Sequence, residues 1–251
     1  MISKNFLKAY FSEFIGTALL LLIGLSAVIL INGKGSPIIK LIPDAGARRA
    51  ISGFLFGTTG CLITLSPVGK ISGAHINPIV SIAFWLRKNM QFKNMLGFIL
   101  AQMAGAVIGC LPLLFWGDEG KSMDFGATVP APLPAAFIGE IWTSFVLIAV
   151  IIFFTSHNKI KNFTPFMMPI IYCIMVFAEA PVSGTSTNPA RSFGPDVISN
   201  SWSGYWLYWL APVLGMLLAV LLFNVGWLKH LRSDVAKLYH FERYRHISNN
   251  L

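Results

Sequence analysis

Two short stretches decide the fold: Ser72-Gly73-Ala74-His75-Ile76-Asn77-Pro78 and Ser183-Gly184-Thr185-Ser186-Thr187-Asn188-Pro189. They match in register, each running Ser-Gly, three intervening residues, then Asn-Pro. Asparagine is a strong helix N-cap, and proline, with its fixed φ and missing N–H, suits the first helical position. Each stretch therefore predicts a helix that begins just after its asparagine. The apolar pieces that follow, residues 79–86 and 190–198, are too short to cross a bilayer, which takes about 20 residues. One Asn-Pro pair alone is an ordinary turn signal. Two in corresponding places point to an internal repeat.

The chain around them is apolar. Of its 251 residues 55% are hydrophobic and 12% charged, against roughly 25% charged in a soluble domain, and the mean hydropathy is +0.67. Disorder is excluded, because it needs low hydrophobicity and high charge. The net charge of +9 does not point to nucleic acid, because the basic residues are scattered between apolar blocks and form no stripe. Cys61, Cys110 and Cys173 each lie inside an apolar block and are too few for a disulfide scaffold. Six stretches are long enough to span a membrane, at about 9–31, 47–67, 94–116, 134–155, 165–182 and 205–228. The first follows Lys4 and Lys8 as in a signal peptide, but runs too long and lacks a small-residue cleavage site, so it reads as a retained helix. The expected fold is an all-α membrane protein of one domain over 1–251. It has six spans and two half-helices, a first repeat at about 9–116, a second at about 134–228, and a basic tail at 229–251.

Each half holds three spans, an odd number, so the second is inserted upside down relative to the first. The two loops then enter the membrane from opposite faces, and their half-helices meet N-terminus to N-terminus near the midplane. Irregular backbone at that depth is tolerated only against protein or water, so here it lines a path. Each helix N-terminus carries roughly half a positive charge, and two of them facing one point repel cations and protons. The amides of Asn77 and Asn188 offer donors to a passing oxygen, which interrupts the water chain needed for proton hopping. In the loops on the side of both chain ends lie 13 Lys and Arg, against five on the other side. The excess puts both ends in the cytoplasm of a plasma or bacterial inner membrane.

At these residues the chain resembles the aquaporin and glycerol-facilitator family. SGAHINPIVSIAF is similar to its first Asn-Pro-Ala loop and SGTSTNPARSFGP to its second, with EFIGTALLL, AQMAGAVIG and YWLYWLAPVLGMLLAVLLF as further likenesses. The resemblance covers about residues 9–228. It implies passive flux of water and small uncharged solutes (glycerol-type polyols, urea or metalloid hydroxides) through one pore per subunit of a homotetramer embedded in membrane lipids.

By the same resemblance Asn77, Pro78, Asn188, Pro189 and Ala190 take the motif positions, while Ile79 departs from the usual Ala. A larger side chain there narrows or shifts the midplane constriction. Arg191 matches the filter arginine, and Gly184 and Thr185 lie where relatives lend loop carbonyls to the filter. Counting back from the asparagines gives Gly57 and Val176 as the other filter positions, where water-selective relatives hold an aromatic ring and a histidine. That set is wider and more apolar, although Phe56, one residue away in the span-two register, restores an aromatic wall. Ser192 and the Tyr208-Trp209 pair resemble the water-channel branch, and Asp196 matches neither branch. Glu13 and Glu140 correspond to glutamates that brace the half-helix loops. Glu179 lies three residues after Val176, facing either the outer vestibule or solvent at a helix end. His75 reads as a pore-lining polar residue, since no second ligand sits at metal spacing.

The tail carries apolar residues among its charges, as for an amphipathic helix on anionic headgroups or a solvated segment. No nucleophile–base pair, phosphate loop or dinucleotide fingerprint appears, so neither an enzyme nor a cofactor is expected. Two rival functions fit an inverted repeat: a coupled transporter, or a junctional protein of the same fold with a closed pore.

Overall fold

The computed structural model describes residues 4–225 together with Leu228, His230, Leu231, Lys237 and Leu238. The described residues form helices, turns and loops, and none is in a strand. In the first half α1 (Lys4–Asn32) and α2 (Ala45–Leu65) are followed by a half-helix, α3 (Pro78–Leu86), and by α4 (Phe92–Cys110). The second half repeats the order with α5 (Leu133–Thr155), α6 (Thr164–Ser183), the half-helix α7 (Pro189–Ser199) and α8 (Leu207–Leu222). This is the six-helix, two-half-helix inverted repeat.

The helix ends follow local chemistry. Asp44 caps α2, accepting from the Ala47 N–H at 2.6 Å. Ser66 closes α2 and caps the next short helix, Pro67–Ser72. That helix and α6 each stop at a glycine in the left-handed region, Gly73 (φ 95°) and Gly184 (φ 83°), the conformation that residue tolerates best. In the stretch expected at 205–228 the α-helix begins at Leu207, because residues 203–206 form a turn that includes Gly204 at φ 73°, and it ends at Leu222. Among the described residues four segments are long and apolar enough to cross a membrane: Phe6–Asn32, Phe92–Lys121, Leu133–Thr155 and Lys161–Ser183. The helix α2 has the length, at 21 residues, but carries Arg48 and Arg49 near its start.

Within each half the first and third long helices pack on each other, α1 on α4 and α5 on α8, while α2 and α6 meet at the centre. Glycines set these distances, as small residues do where lipid gives no hydrophobic drive. Gly53 and Gly57 of α2 lie against the carbonyls of Tyr172 and Met168 on α6. Gly105 and Gly109 of α4 lie against the carbonyls of Phe14 and Ala18 on α1. Polar groups are turned inward and apolar ones outward: Glu13, Gln102 and Glu140 are fully buried, while Leu100, Phe115, Ile138 and Ile174 are exposed. The half-helix α7 packs mainly on α4, so the second motif is held by the first half of the chain.

Candidate functional site

The site is built from two loops that the backbone alone would not hold. In the first, Ala74 and Ile76 have φ of 53° and 42°; in the second, Thr185 and Thr187 have φ of 51° and 52°. A non-glycine residue in this region costs about 1–2 kcal/mol, and three of these four, Ile76, Thr185 and Thr187, are β-branched. What holds each loop is a carboxylate from the opening turns of its own half. Glu13 Oε1 accepts from the His75 N–H at 2.9 Å, and Oε2 from the Ile76 N–H at 2.7 Å. Glu140 Oε1 accepts from the Ser186 N–H at 2.5 Å and Oε2 from the Thr187 N–H at 2.8 Å. Each carboxylate takes a third, side-chain donor: Gln102 Nε2 at 2.7 Å for Glu13 and Ser183 Oγ at 2.7 Å for Glu140.

With the loops held, the asparagines meet. Asn77 Oδ1 accepts from the Ile79 N–H at 3.0 Å, and Asn188 Oδ1 from the Ala190 and Arg191 N–H groups at 3.0 and 3.3 Å. Their nitrogens cross over: Asn77 Nδ2 donates to the Thr187 carbonyl and Asn188 Nδ2 to the Ile76 carbonyl, both at 2.9 Å. An amide nitrogen has two protons, so each retains one for the cavity that both residues line. The N-termini of α3 and α7 thus stand opposite each other. Pro78, Pro189 and Ala190 are buried in the first turns of these helices. Ile79 is fully buried and absent from the described lining of either cavity, so its bulk is taken up by the core and not by the passage.

Among the described residues two cavities meet along the path. One, of about 370 Å³, is a vestibule lined by Arg49, Val176, Gly184, Thr185 and Arg191 among others. The other, of about 40 Å³, lies at the asparagines and is also lined by Gly57, Gly60 and His75. Phe56 and Tyr172 are the described residues common to both. The register in α2 therefore puts the Phe56 ring at the waist, whereas Gly57 faces α6 closely enough that a Cβ would overlap the Met168 carbonyl. The open, apolar width expected from Gly57 and Val176 is occupied by two rings.

Arg191 Nη1 donates to the Gly126 carbonyl at 2.5 Å. The ion pair among the described residues is Lys121–Asp118 on the surface, so Arg191 carries its charge to the vestibule without a carboxylate within salt-bridge distance. Glu179 faces neither the vestibule nor solvent. Its Oε2 accepts from Thr185 Oγ1 at 2.6 Å, in space left by the missing side chain of Gly139. His75 is buried, stacked on Phe84 at 4.8 Å with Nδ1 3.0 Å from Ser81 Oγ.

Several supporting groups escape a reading of the motifs. Gln102 and Ser81 sit 3.0 Å apart behind the first loop. Tyr208 Oη donates to the Ser183 carbonyl at 2.6 Å, and Thr128 and Ser192 share a 2.7 Å hydrogen bond. Buried polar groups such as Gln102 inside AQMAGAVIG were the available signal. Nothing marked Gly126 or Thr128, which reach the site from a connecting segment.

At the face where α1 begins, the chain returns to the path. Lys237 Nζ donates to the Lys70 carbonyl and the Leu238 N–H to the Gly73 carbonyl, each at 3.1 Å, while Leu238 lines the inner cavity. Burial pushes the Lys237 ammonium down to about 8. The amphipathic helix considered for 229–251 lies largely outside the described residues, and Lys237 and Leu238 are neither solvated nor at a lipid-facing surface. Leu238→Asp is expected to raise water permeability. Burying one leucine contributes about 1.5–3 kcal/mol, part of which offsets the ordering of the tail, and a remaining ~1.4 kcal/mol corresponds to about a tenfold change. Stopped-flow light scattering on vesicles carrying each protein measures it.

Re-entrant half-helices that meet at paired asparagines inside a six-helix inverted repeat define a multi-pass membrane channel for water and small solutes. The chain belongs to the major intrinsic protein family, whose model matches residues 1–223. It is similar to the probable aquaporin TIP2-2 of Arabidopsis thaliana, at 31% identity over 87% of this chain and 86% of that one. It is also similar to nodulin-26 of Glycine max, at 34% identity over 63% and 59%. The fold matches that of the aquaglyceroporin from Plasmodium falciparum with a TM-score of 0.70, covering 87% of this chain and 96% of that one at 18% identity.

Proposed function

We propose that the chain conducts water and small uncharged solutes passively, and that it excludes protons and ions. The observation that carries this reading is the crossed pair of 2.9 Å bonds from Asn77 and Asn188 to the opposing loops. Those bonds fix two amide donors side by side where two half-helix N-termini converge. A water there is held by its oxygen, with its hydrogens turned away along the path in both directions. A proton cannot be handed through a molecule so oriented, and the helix ends add roughly half a positive charge each. Arg191 repeats the barrier at the vestibule, with Val176 and Thr185 beside it as filter positions. Glu13 and Glu140 act as braces, and His75, buried against Phe84, as a polar wall.

The distribution of Lys and Arg supports chain ends in the cytoplasm, and the outward apolar faces suit lipid and the neighbouring subunits of a homotetramer. The test is shrinkage of proteoliposomes under an osmotic gradient, with a pH-sensitive dye inside. The expected result is water permeability well above that of empty vesicles with no added proton leak. Permeability equal to that of empty vesicles rejects the reading.

A further inference from the structure

We infer that Tyr172, one helical turn inward of Val176, is a specificity-determining residue that with Phe56 sets the upper size limit on solutes and favours water over three-carbon polyols. The inference rests on the channel reading above and deepens it.

The vestibule and the inner cavity share Phe56 and Tyr172 among their described lining residues, so what passes from one to the other passes these two rings. The ring centroids are 5.7 Å apart with the planes tilted by 46°. Neither ring is free to withdraw. Behind Phe56 stands Gly24 of α1, where even a Cβ would come within 2.6 Å of the ring. The backbone of Tyr172 is pressed against Gly53, close enough that a Cβ on that glycine would overlap the Tyr172 carbonyl. Its far end is pinned too, with Oη 2.9 Å from Thr187 Oγ1.

The direction of that bond follows from its neighbour. The single proton of the Thr187 hydroxyl goes to the Ser186 carbonyl at 2.7 Å, so Thr187 Oγ1 accepts and the phenol donates. The lone pairs of the Tyr172 oxygen are then left as an acceptor. A waist of two ring faces and one acceptor can serve one water hydrogen at a time. A polyol must shed hydrogen bonds from several hydroxyls at once to pass, and buried hydroxyls without partners are costly.

The experiment is the ratio of glycerol to water permeability in proteoliposomes of the native chain and of Tyr172→Ala, Tyr172→Leu, Tyr172→Phe and Val176→Ala. Native vesicles are expected to be strongly permeable to water and weakly to glycerol. Tyr172→Ala and Tyr172→Leu are expected to raise the ratio by about tenfold, which is 1.4 kcal/mol off the glycerol barrier, with water flux kept. Tyr172→Phe, which retains the ring and loses the bond to Thr187, raises it less, and Val176→Ala, one turn further out at the vestibule, also raises it less than Tyr172→Ala does. An unchanged ratio in Tyr172→Ala or Tyr172→Leu with water flux kept overturns the inference alone. So does a larger rise in Val176→Ala, or loss of water flux in both Tyr172→Ala and Tyr172→Leu. Native vesicles no more water-permeable than empty ones overturn the channel reading itself.

Discussion

Glu140→Gln is expected to cost on the order of 3 kcal/mol in the stability of the second loop, with loss of most water flux. The carboxylate is an acceptor for three donors at once: the Ser183 hydroxyl and the Ser186 and Thr187 N–H groups. An amide offers one accepting oxygen and, in place of the other, an NH2 that can only donate. Turned either way, it sets N–H against N–H or O–H in a site with no exposure. Hydrogen bonds to a charged group are worth about 1.5–3 kcal/mol each, and an orphaned buried donor costs as much again. The two bonds from Glu140 are the ones that hold the backbone N–H groups of Ser186 and Thr187, in the stretch where Thr185 and Thr187 keep positive φ. Once Thr187 relaxes, its carbonyl leaves Asn77, and the amide donors no longer face the passage together. Glu13→Gln is expected to behave alike, since its carboxylate holds His75, Ile76 and Gln102 in the same pattern. Thermal unfolding in detergent and water flux in vesicles give the two readouts. A Glu140→Gln protein of native stability with full flux would show that the loop is held by packing alone.

The likeness of the two glutamate environments explains why so much of this architecture was legible in the chain. The motif fixes where each half-helix starts, through an asparagine cap and a proline in the first turn, and these are local effects that survive translation into structure. The odd number of spans per half then leaves inversion as the consequence. What the chain could not specify was side-chain azimuth. Gly57 and Phe56 differ by one residue, or about 100° around a helix, and the choice is made by α6, whose Met168 carbonyl accepts no neighbour larger than a glycine. Tyr172 was silent for a related reason: counting residues from Asn188 leads to Val176, and only the packed helices show that the ring one turn further in reaches the waist. Neither place open to Glu179 in the chain, the outer vestibule or a solvated helix end, is the one it takes, because the space it occupies is created by Gly139 on another helix. The contact of Leu238 with the inner cavity joins residues far apart in the chain, and no periodicity carries that information.

Gly57→Ala and Gly60→Ala are expected to differ widely, although both residues belong to α2 and line the inner cavity. At Gly57 the new methyl would overlap the Met168 carbonyl and lie 2.8 Å from Pro169 Cα, both backbone atoms that cannot swing aside. At Gly60 the nearest atoms are the ends of two flexible side chains, Leu20 Cδ1 at 3.9 Å and Ile76 Cδ1 at 4.0 Å, which is ordinary contact. Overpacking a rigid interface costs about 1–3 kcal/mol, and here it falls on the joint between the two halves of the chain. Separating α2 from α6 moves Phe56 away from Tyr172, so the waist changes along with stability. The expected result is a lower unfolding midpoint for Gly57→Ala with reduced or unselective flux, and native behaviour for Gly60→Ala. Gly57→Phe should fail to assemble and lose water and glycerol flux together, because the added ring would meet backbone and not the lumen. Selective loss of glycerol flux in Gly57→Phe would instead place the side chain of residue 57 at the waist and reverse the register assigned to α2.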